Sequence, residues 1–165
     1  MVEKLIRLSK SSIGKNEKNA VLGVLDREFL GMGPEVFEFE ALLSNYFNRT
    51  ALCVSSGTAA LHLSIQACNI GKGDEVLVPS ITYVASFQAI SATGAKPIAC
   101  DVDPLTLMID IKDAEKRITE KTKGIMPVFY AGGTKGIGKI YNFSKYHNLR
   151  VIEDAAHAFG SHYKG

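Results

Sequence analysis

The apolar positions of this chain fall into two regimes. Up to about residue 50 they recur at helical spacing. Ala20, Val21, Val24, Leu25 and Phe29 share one face, and Gly31 and Gly33 stop that run. Pro34 then suits a first helical position, and Glu35 and Glu38 place negative charge near the exposed N–H groups of the opening turns. Phe39, Leu42, Leu43, Tyr46 and Phe47 supply the apolar face of this second helix. From residue 51 onwards, short apolar runs alternate with helical ones. The pattern predicts strands at 51–54, 75–78, 97–101, 124–129 and 150–153. It predicts helices near 58–70, 83–93, 111–119 and 137–147, with Gly94 as a C-terminal glycine after the second of these. Short strands separated by helices call for a mostly parallel sheet covered on both faces. The expected fold class is α/β, with two helices leading into one such unit and no internal repeat, low-complexity segment or linker.

In open α/β sheets, ligands sit outside the carboxyl ends of the strands. The predicted ends carry residues 55–58, residues 79–83, Asp101 and Asp103, residues 130–133, and residues 154–157. The first is Ser55-Ser56-Gly57-Thr58, where a run of small residues passes directly into a helix. Free N–H groups at a helix start attract anions, Gly57 permits close backbone approach, and Thr58 adds a hydroxyl. The stretch reads as a phosphate cup or as an ordinary helix cap. Asp154 follows the apolar pair Val151-Ile152 and precedes small residues, so partial enclosure is expected. An enclosed carboxylate needs a partner, and an N–H⁺ would hold it ionised. His157 either bonds a ligand or caps the next segment. Tyr83, at the start of a helix on the same edge, is a stacking platform or a core residue. Together these ends suit a phosphorylated, planar, partly cationic ligand.

Gly133-Thr134-Lys135-Gly136-Ile137-Gly138-Lys139-Ile140 follows the spacing of a nucleotide-binding P-loop as far as its lysine. The next position must offer a hydroxyl to magnesium, and Ile140 has none. A glycine-rich loop with a basic helix start is the preferred reading.

Composition narrows the picture modestly. A chain of 165 residues suits one domain, and 46% hydrophobic with 22% charged residues places it among globular proteins. Nineteen Lys and Arg against 17 Asp and Glu leave +2, which argues for neither nucleic acid nor a membrane surface. No apolar run has the length of a membrane span, and the stretch from Met1 to Arg7 lacks the apolar block of a signal peptide. Cys53, Cys68 and Cys100 have no metal-type spacing and read as free thiols, so a soluble cytoplasmic protein is expected. Lys112, Lys116, Arg117, Lys121 and Lys123 alternate with Asp113, Glu115 and Glu120 as a solvated face. No Ser/His/Asp nucleophile elbow and no zinc-type Cys/His spacing is present, so no metal is expected.

Taken as a set, these stretches resemble the amino-terminal part of the pyridoxal-phosphate-dependent sugar aminotransferases of the DegT/DnrJ/EryC1/StrS family. The resemblance rests on Gly31-Met32-Gly33-Pro34-Glu35-Val36 with Phe39-Glu40, and on Ser55-Ser56-Gly57-Thr58-Ala59-Ala60-Leu61-His62. It continues through Gly73-Asp74-Glu75-Val76-Leu77-Val78-Pro79, Thr82-Tyr83, Gly94-Ala95-Lys96-Pro97 and Asp101-Val102-Asp103. It closes on Val151-Ile152-Glu153-Asp154-Ala155-Ala156-His157-Ala158, so nearly the whole chain is covered in order.

The resemblance implies an incomplete fold-type-I, aspartate-aminotransferase-like large domain over residues 1–165, without the small carboxy-terminal domain, in an enzyme whose sites lie at a homodimer interface. It implies pyridoxal 5'-phosphate as cofactor. Gly57 and Thr58 would hold its phosphate, Tyr83 would stack on the ring, Asp154 would pair with the ring nitrogen, and His157 would stand near the ring hydroxyl where relatives often carry Gln. The family reaction moves an amino group from a glutamate-like donor to a keto group of a nucleotide-linked sugar. Two departures stand out. Phe129 takes a place where relatives commonly have His, and the Schiff-base lysine of the family falls beyond Gly165, so no catalytic residue is assigned within the chain and the fragment alone is expected to be inactive. Lys164 lacks the family context for that role. A family dehydratase, in which His replaces that lysine, and a non-catalytic binding or dimerisation module remain as alternatives.

Overall fold

The computed structural model describes residues 10–164, so the stretch from Met1 to Arg7 lies outside it. The chain divides into two compact units, Met1–Cys53 and Val54–Gly165.

The first unit carries α1 (Lys15–Asp26) and α2 (Pro34–Phe47). At the start of α1 the Glu17 carboxylate reaches back to the Gly14 N–H at 2.7 Å, and its own backbone N–H together with that of Gly14 holds its carboxyl below the usual carboxylate range. The helix ends at Asp26, before the predicted glycine stop. Pro34 occupies the opening position of α2, as the sequence predicts, and Asn48 closes that helix with φ 49°, a left-handed conformation that asparagine tolerates. An Arg27–Glu35 ion pair joins the two helix ends. The predicted strand at 51–54 does not form. Its backbone is satisfied from α2 instead: Ala51 N–H donates to Ser44 Oγ at 2.9 Å, and Cys53 N–H donates to Glu40 Oε1 at 2.6 Å. An apolar extended run becomes a strand only beside a neighbour that completes the ladder.

The second unit holds α3 (Gly57–Ala67), β1 (Glu75–Pro79), α4 (Val84–Ala92), β2 (Lys96–Cys100), α5 (Ile111–Arg117), β3 (Thr122–Ile125), α6 (Ile137–Tyr146) and β4 (Arg150–Val151). Its four strands pair in parallel in the order β2-β1-β3-β4. Side-chain alternation along β1 splits the core in two. Val76 and Val78 pack with Leu61 and Ile65 of α3 and Ala89 and Ile90 of α4. Leu77 points the other way, to Ala114 of α5 and Ile137, Ile140 and Phe143 of α6.

The last two strands are shorter than predicted. Pro127 has no N–H to give the ladder, and β3 stops at Ile125. Pairing resumes as a single bridge between Val128 and Asp154, with the Asp154 N–H on the Pro127 carbonyl at 2.9 Å. β1 and β3 are neighbours, yet the helices that follow them lie on opposite faces. At such a switch point open α/β sheets bind ligands outside the carboxyl ends of the strands. Asp154, bridged to Val128 just beyond β3, lies at that end of the sheet. Among the described residues no helix is long and apolar enough to cross a membrane.

Candidate functional site

Ser56 is the cap of α3. Its Oγ accepts the Ala59 N–H at 3.1 Å, and its carbonyl accepts the Ala60 N–H at 3.0 Å. The helix begins at Gly57, so the N–H groups of Gly57 and Thr58 have no acceptor within it. A Cβ placed on Gly57 would meet nothing within 4 Å, so the side of the helix start at Gly57 is open. The two sequence readings therefore describe different residues. Ser56 performs the cap, and Gly57 and Thr58 are left facing outward with the positive end of the helix dipole behind them.

Tyr83 caps α4 and is 77% exposed, so its ring is not part of the core. One helical turn on, Ser86 is fully buried. Its hydroxyl donates to Asp154 Oδ2 at 2.8 Å and lies 2.7 Å from Thr82 Oγ1. Serine has one hydroxyl proton and gives it to the carboxylate, so the contact with Thr82 runs from the Thr82 O–H to Ser86 Oγ. The other carboxylate oxygen, Asp154 Oδ1, accepts the Ala156 N–H at 3.3 Å. Asp154 is 8% exposed, and the ion pairs among the described residues do not include it. It is a buried carboxylate held by neutral donors, without a counter-charge among the described residues.

His157 is exposed on the segment after Asp154. The Ala131 N–H donates to its Nδ1 at 3.4 Å, and the Tyr130 ring lies edge-on at 6.1 Å. With Nδ1 accepting, the proton of the neutral imidazole sits on Nε2, so the free edge of the ring is a donor. Gly132, at φ 78°, runs so close to this segment that a Cβ would sit 3.0 Å from the His157 carbonyl oxygen. The Ser161 hydroxyl closes the same contact on the Gly132 carbonyl at 2.9 Å.

Direct bonds thus gather Thr82, Ser86 and Asp154, and Tyr83 shares their helix start. His157 belongs to the neighbouring loop, and no hydrogen bond among the described residues links Gly57 or Thr58 to this group, although α3, which they open, packs against α4. The strand-end acids Asp101 and Asp103 take another course. Asp103 folds over its own turn, accepting the N–H groups of Leu105 at 2.8 Å and Thr106 at 3.1 Å, which holds its carboxyl below the usual range. Asp101 gives its N–H to Asp113 at the start of α5. In the glycine-rich loop, Ile140 is fully buried in the core beneath α6, so the position that a P-loop needs for a metal-binding hydroxyl is structural.

Ser86 is the residue that reading the sequence misses. Its one sequence signal is a small polar residue on the inward face of a helix otherwise built from Ala85, Ala89 and Ile90.

A sequence model described as the DegT/DnrJ/EryC1/StrS aminotransferase family matches residues 11–165. Solved structures agree. The chain is 37% identical to an aminotransferase from Psychrobacter cryohalolentis, with a TM-score of 0.87 over 93% of this chain and 40% of that one. It is 34% identical to Spr1654 from Streptococcus pneumoniae, described as a sugar aminotransferase, whose PMP form gives a TM-score of 0.89 over 97% of this chain and 44% of that one. NtdA from Bacillus subtilis, solved with bound PMP, is 35% identical, with a TM-score of 0.79 over 84% of this chain and 32% of that one. The chain therefore spans less than half the length of these structures. Its parallel sheet with helices on both faces is the fold-type-I architecture they share. By family match, identity and superposition, the chain belongs to the DegT/DnrJ/EryC1/StrS aminotransferase family.

Proposed function

We propose that this chain supplies the cofactor-holding half-site of a pyridoxal-phosphate-dependent aminotransferase that moves an amino group from a glutamate-like donor to a keto group on a nucleotide-linked sugar. The observation that carries this is Asp154, a buried carboxylate with neutral donors on both oxygens and no ion-pair partner among the described residues. Burying a charge without a counter-charge is costly, and a ligand that brings its own N–H⁺ removes that cost. The ring nitrogen of pyridoxal phosphate is such a group, and the residues present fit it.

Each neighbour has a defined part. Gly57 and Thr58 receive the phosphate on two N–H groups and one hydroxyl, at the helix end where an anion is favoured. Tyr83 offers an exposed aromatic face to the ring. Asp154 accepts the ring N–H⁺ and keeps the proton there. His157 turns Nε2–H outward as a donor for the ring hydroxyl, the same polarity that a Gln side-chain N–H provides. When bound, the cofactor supplies an electron-withdrawing ring that takes up the electron pair left by a departing substrate proton. Every contact named here is non-covalent, so these residues hold the cofactor reversibly. Homodimerisation belongs to the same proposal, as does a cytoplasmic setting, which three cysteines outside any disulfide support.

Titration of the chain with pyridoxamine 5'-phosphate, followed by the ligand's fluorescence, tests this reading. Saturable 1:1 binding is expected, weakened about ten-fold or more in Thr58→Val, the loss of one hydrogen bond to a charged group. No binding, or binding indifferent to Thr58, overturns it. Turnover by the 165-residue chain with cofactor and amino donor would sink the claim that it only holds the cofactor.

A further inference from the structure

We infer that Thr82 and Ser86 are positioning residues, which hold the Asp154 carboxylate in the one orientation that can receive a cationic ring nitrogen. The inference rests on the cofactor reading above and adds two residues to it.

A carboxylate at a strand end can turn about its Cβ–Cγ bond, and each orientation aims different lone pairs at a ligand. Here the rotation is fixed from two sides. The Ser86 hydroxyl binds Oδ2 at 2.8 Å from α4, and the Ala156 N–H binds Oδ1 at 3.3 Å from the following turn. Each oxygen keeps a further acceptor direction for a ligand.

Ser86 would be a weak clamp if its own hydroxyl were free to rotate. It is fully buried, and its oxygen accepts from Thr82 at 2.7 Å, so its single proton has only Asp154 to go to. The hydroxyls of Thr82 and Ser86 therefore point one way, toward the carboxylate, and each bond polarises the next. Tyr83 lies between them in sequence and caps the same helix. One helical turn thus sets both the ring-facing aromatic and the carboxylate, so that their relative placement is built into α4.

A residue that merely stabilised the fold would alter every ligand contact alike. A positioning residue alters the contact to the ring and spares the phosphate cup on α3. The test measures two affinities for each variant, one for pyridoxamine 5'-phosphate and one for inorganic phosphate, and adds the ¹⁵N chemical shift of ring-labelled pyridoxamine 5'-phosphate in the bound state. Ser86→Ala is expected to weaken the cofactor about ten-fold, to leave phosphate unchanged, and to move the ring-nitrogen shift toward that of neutral pyridine. Thr82→Val, nearly isosteric and at a half-buried position, is expected to do the same about three-fold, and Thr82→Ser to restore the wild-type values. Should both variants bind the cofactor like wild type, or lose cofactor and phosphate equally, the inference fails and the cofactor reading stands. Should wild type bind no cofactor at all, both fail together.

Discussion

Replacing Asp154 by Asn separates the role of its charge from the role of its shape. In the chain without cofactor, Asp154 is 8% exposed and accepts from Ser86 at 2.8 Å and Ala156 at 3.3 Å. Asn keeps the outline and one carbonyl oxygen. Its amide can stay bonded to Ser86, because a hydroxyl can reverse and accept from it while donating to Thr82 Oγ1. Both hydrogen bonds lose their charge assistance, a loss of about 1–2 kcal/mol together, and relief from burying an uncompensated carboxylate works in the opposite direction. The folding stability of Asp154→Asn should therefore stay within about 1 kcal/mol of wild type. Binding is different. The bond from a ring N–H⁺ to a carboxylate is worth about 1.5–3 kcal/mol, which is roughly 10- to 150-fold in affinity. Urea denaturation and titration with pyridoxamine 5'-phosphate read the two quantities on the same protein, with inorganic phosphate as the control that should not change. A loss of more than about 3 kcal/mol of stability would make Asp154 a structural residue. Unaltered cofactor affinity would refute the ring-nitrogen pairing.

Two further outcomes follow from the second unit. Cys100 is fully buried at the end of β2, and burial pushes its thiol up to about 11 from the ordinary 9.0. The folded state keeps the proton where the unfolded state releases it, so this contribution to stability is complete below pH 9 and is lost as pH rises toward 11. Its size is on the order of 2–3 kcal/mol, and the difference in pH dependence between wild type and Cys100→Ala, from denaturant melts over that range, should recover it; parallel curves would contradict it. For the glycine-rich loop, Lys139→Ala should leave the chain's response to magnesium nucleotides unchanged in equilibrium dialysis. Nucleotide binding that Lys139→Ala abolishes would reinstate the P-loop reading.

Much of this arrangement is legible in the sequence, because α3, α4 and α6, with β1 before α4, carry strong local signals. Ser56-Gly57-Thr58 announces a helix start wherever it falls, and the unbroken apolar run Val76-Leu77-Val78 needs two covered faces. What is missed depends on distant parts of the chain. Residues 51–54 have strand composition, but a strand is defined by its neighbour, and here the backbone bonds to side chains of α2. β3 begins earlier than its apolar run suggests, at Thr122, because Glu75 of β1 gathers the hydroxyls of Thr119 and Thr122 around its carboxylate. Ser86 is invisible for the same reason: its partner lies 68 residues away. His157 was identifiable as a position but not as a donor, since the tautomer follows from the Ala131 N–H on a loop 26 residues earlier. Local chemistry marks where a ligand can sit, and long-range bonds decide how its partners are aimed.

The most direct test of the cofactor site is an amide ¹H–¹⁵N titration of the 165-residue chain with pyridoxamine 5'-phosphate and, separately, with inorganic phosphate. The account predicts that the cofactor shifts the amides of Gly57, Thr58, Ala156 and Ser86 along one binding curve, and that phosphate shifts Gly57 and Thr58 alone. Shifts centred on residues 133–139 at the start of α6, with Gly57 and Ala156 unmoved, would contradict it.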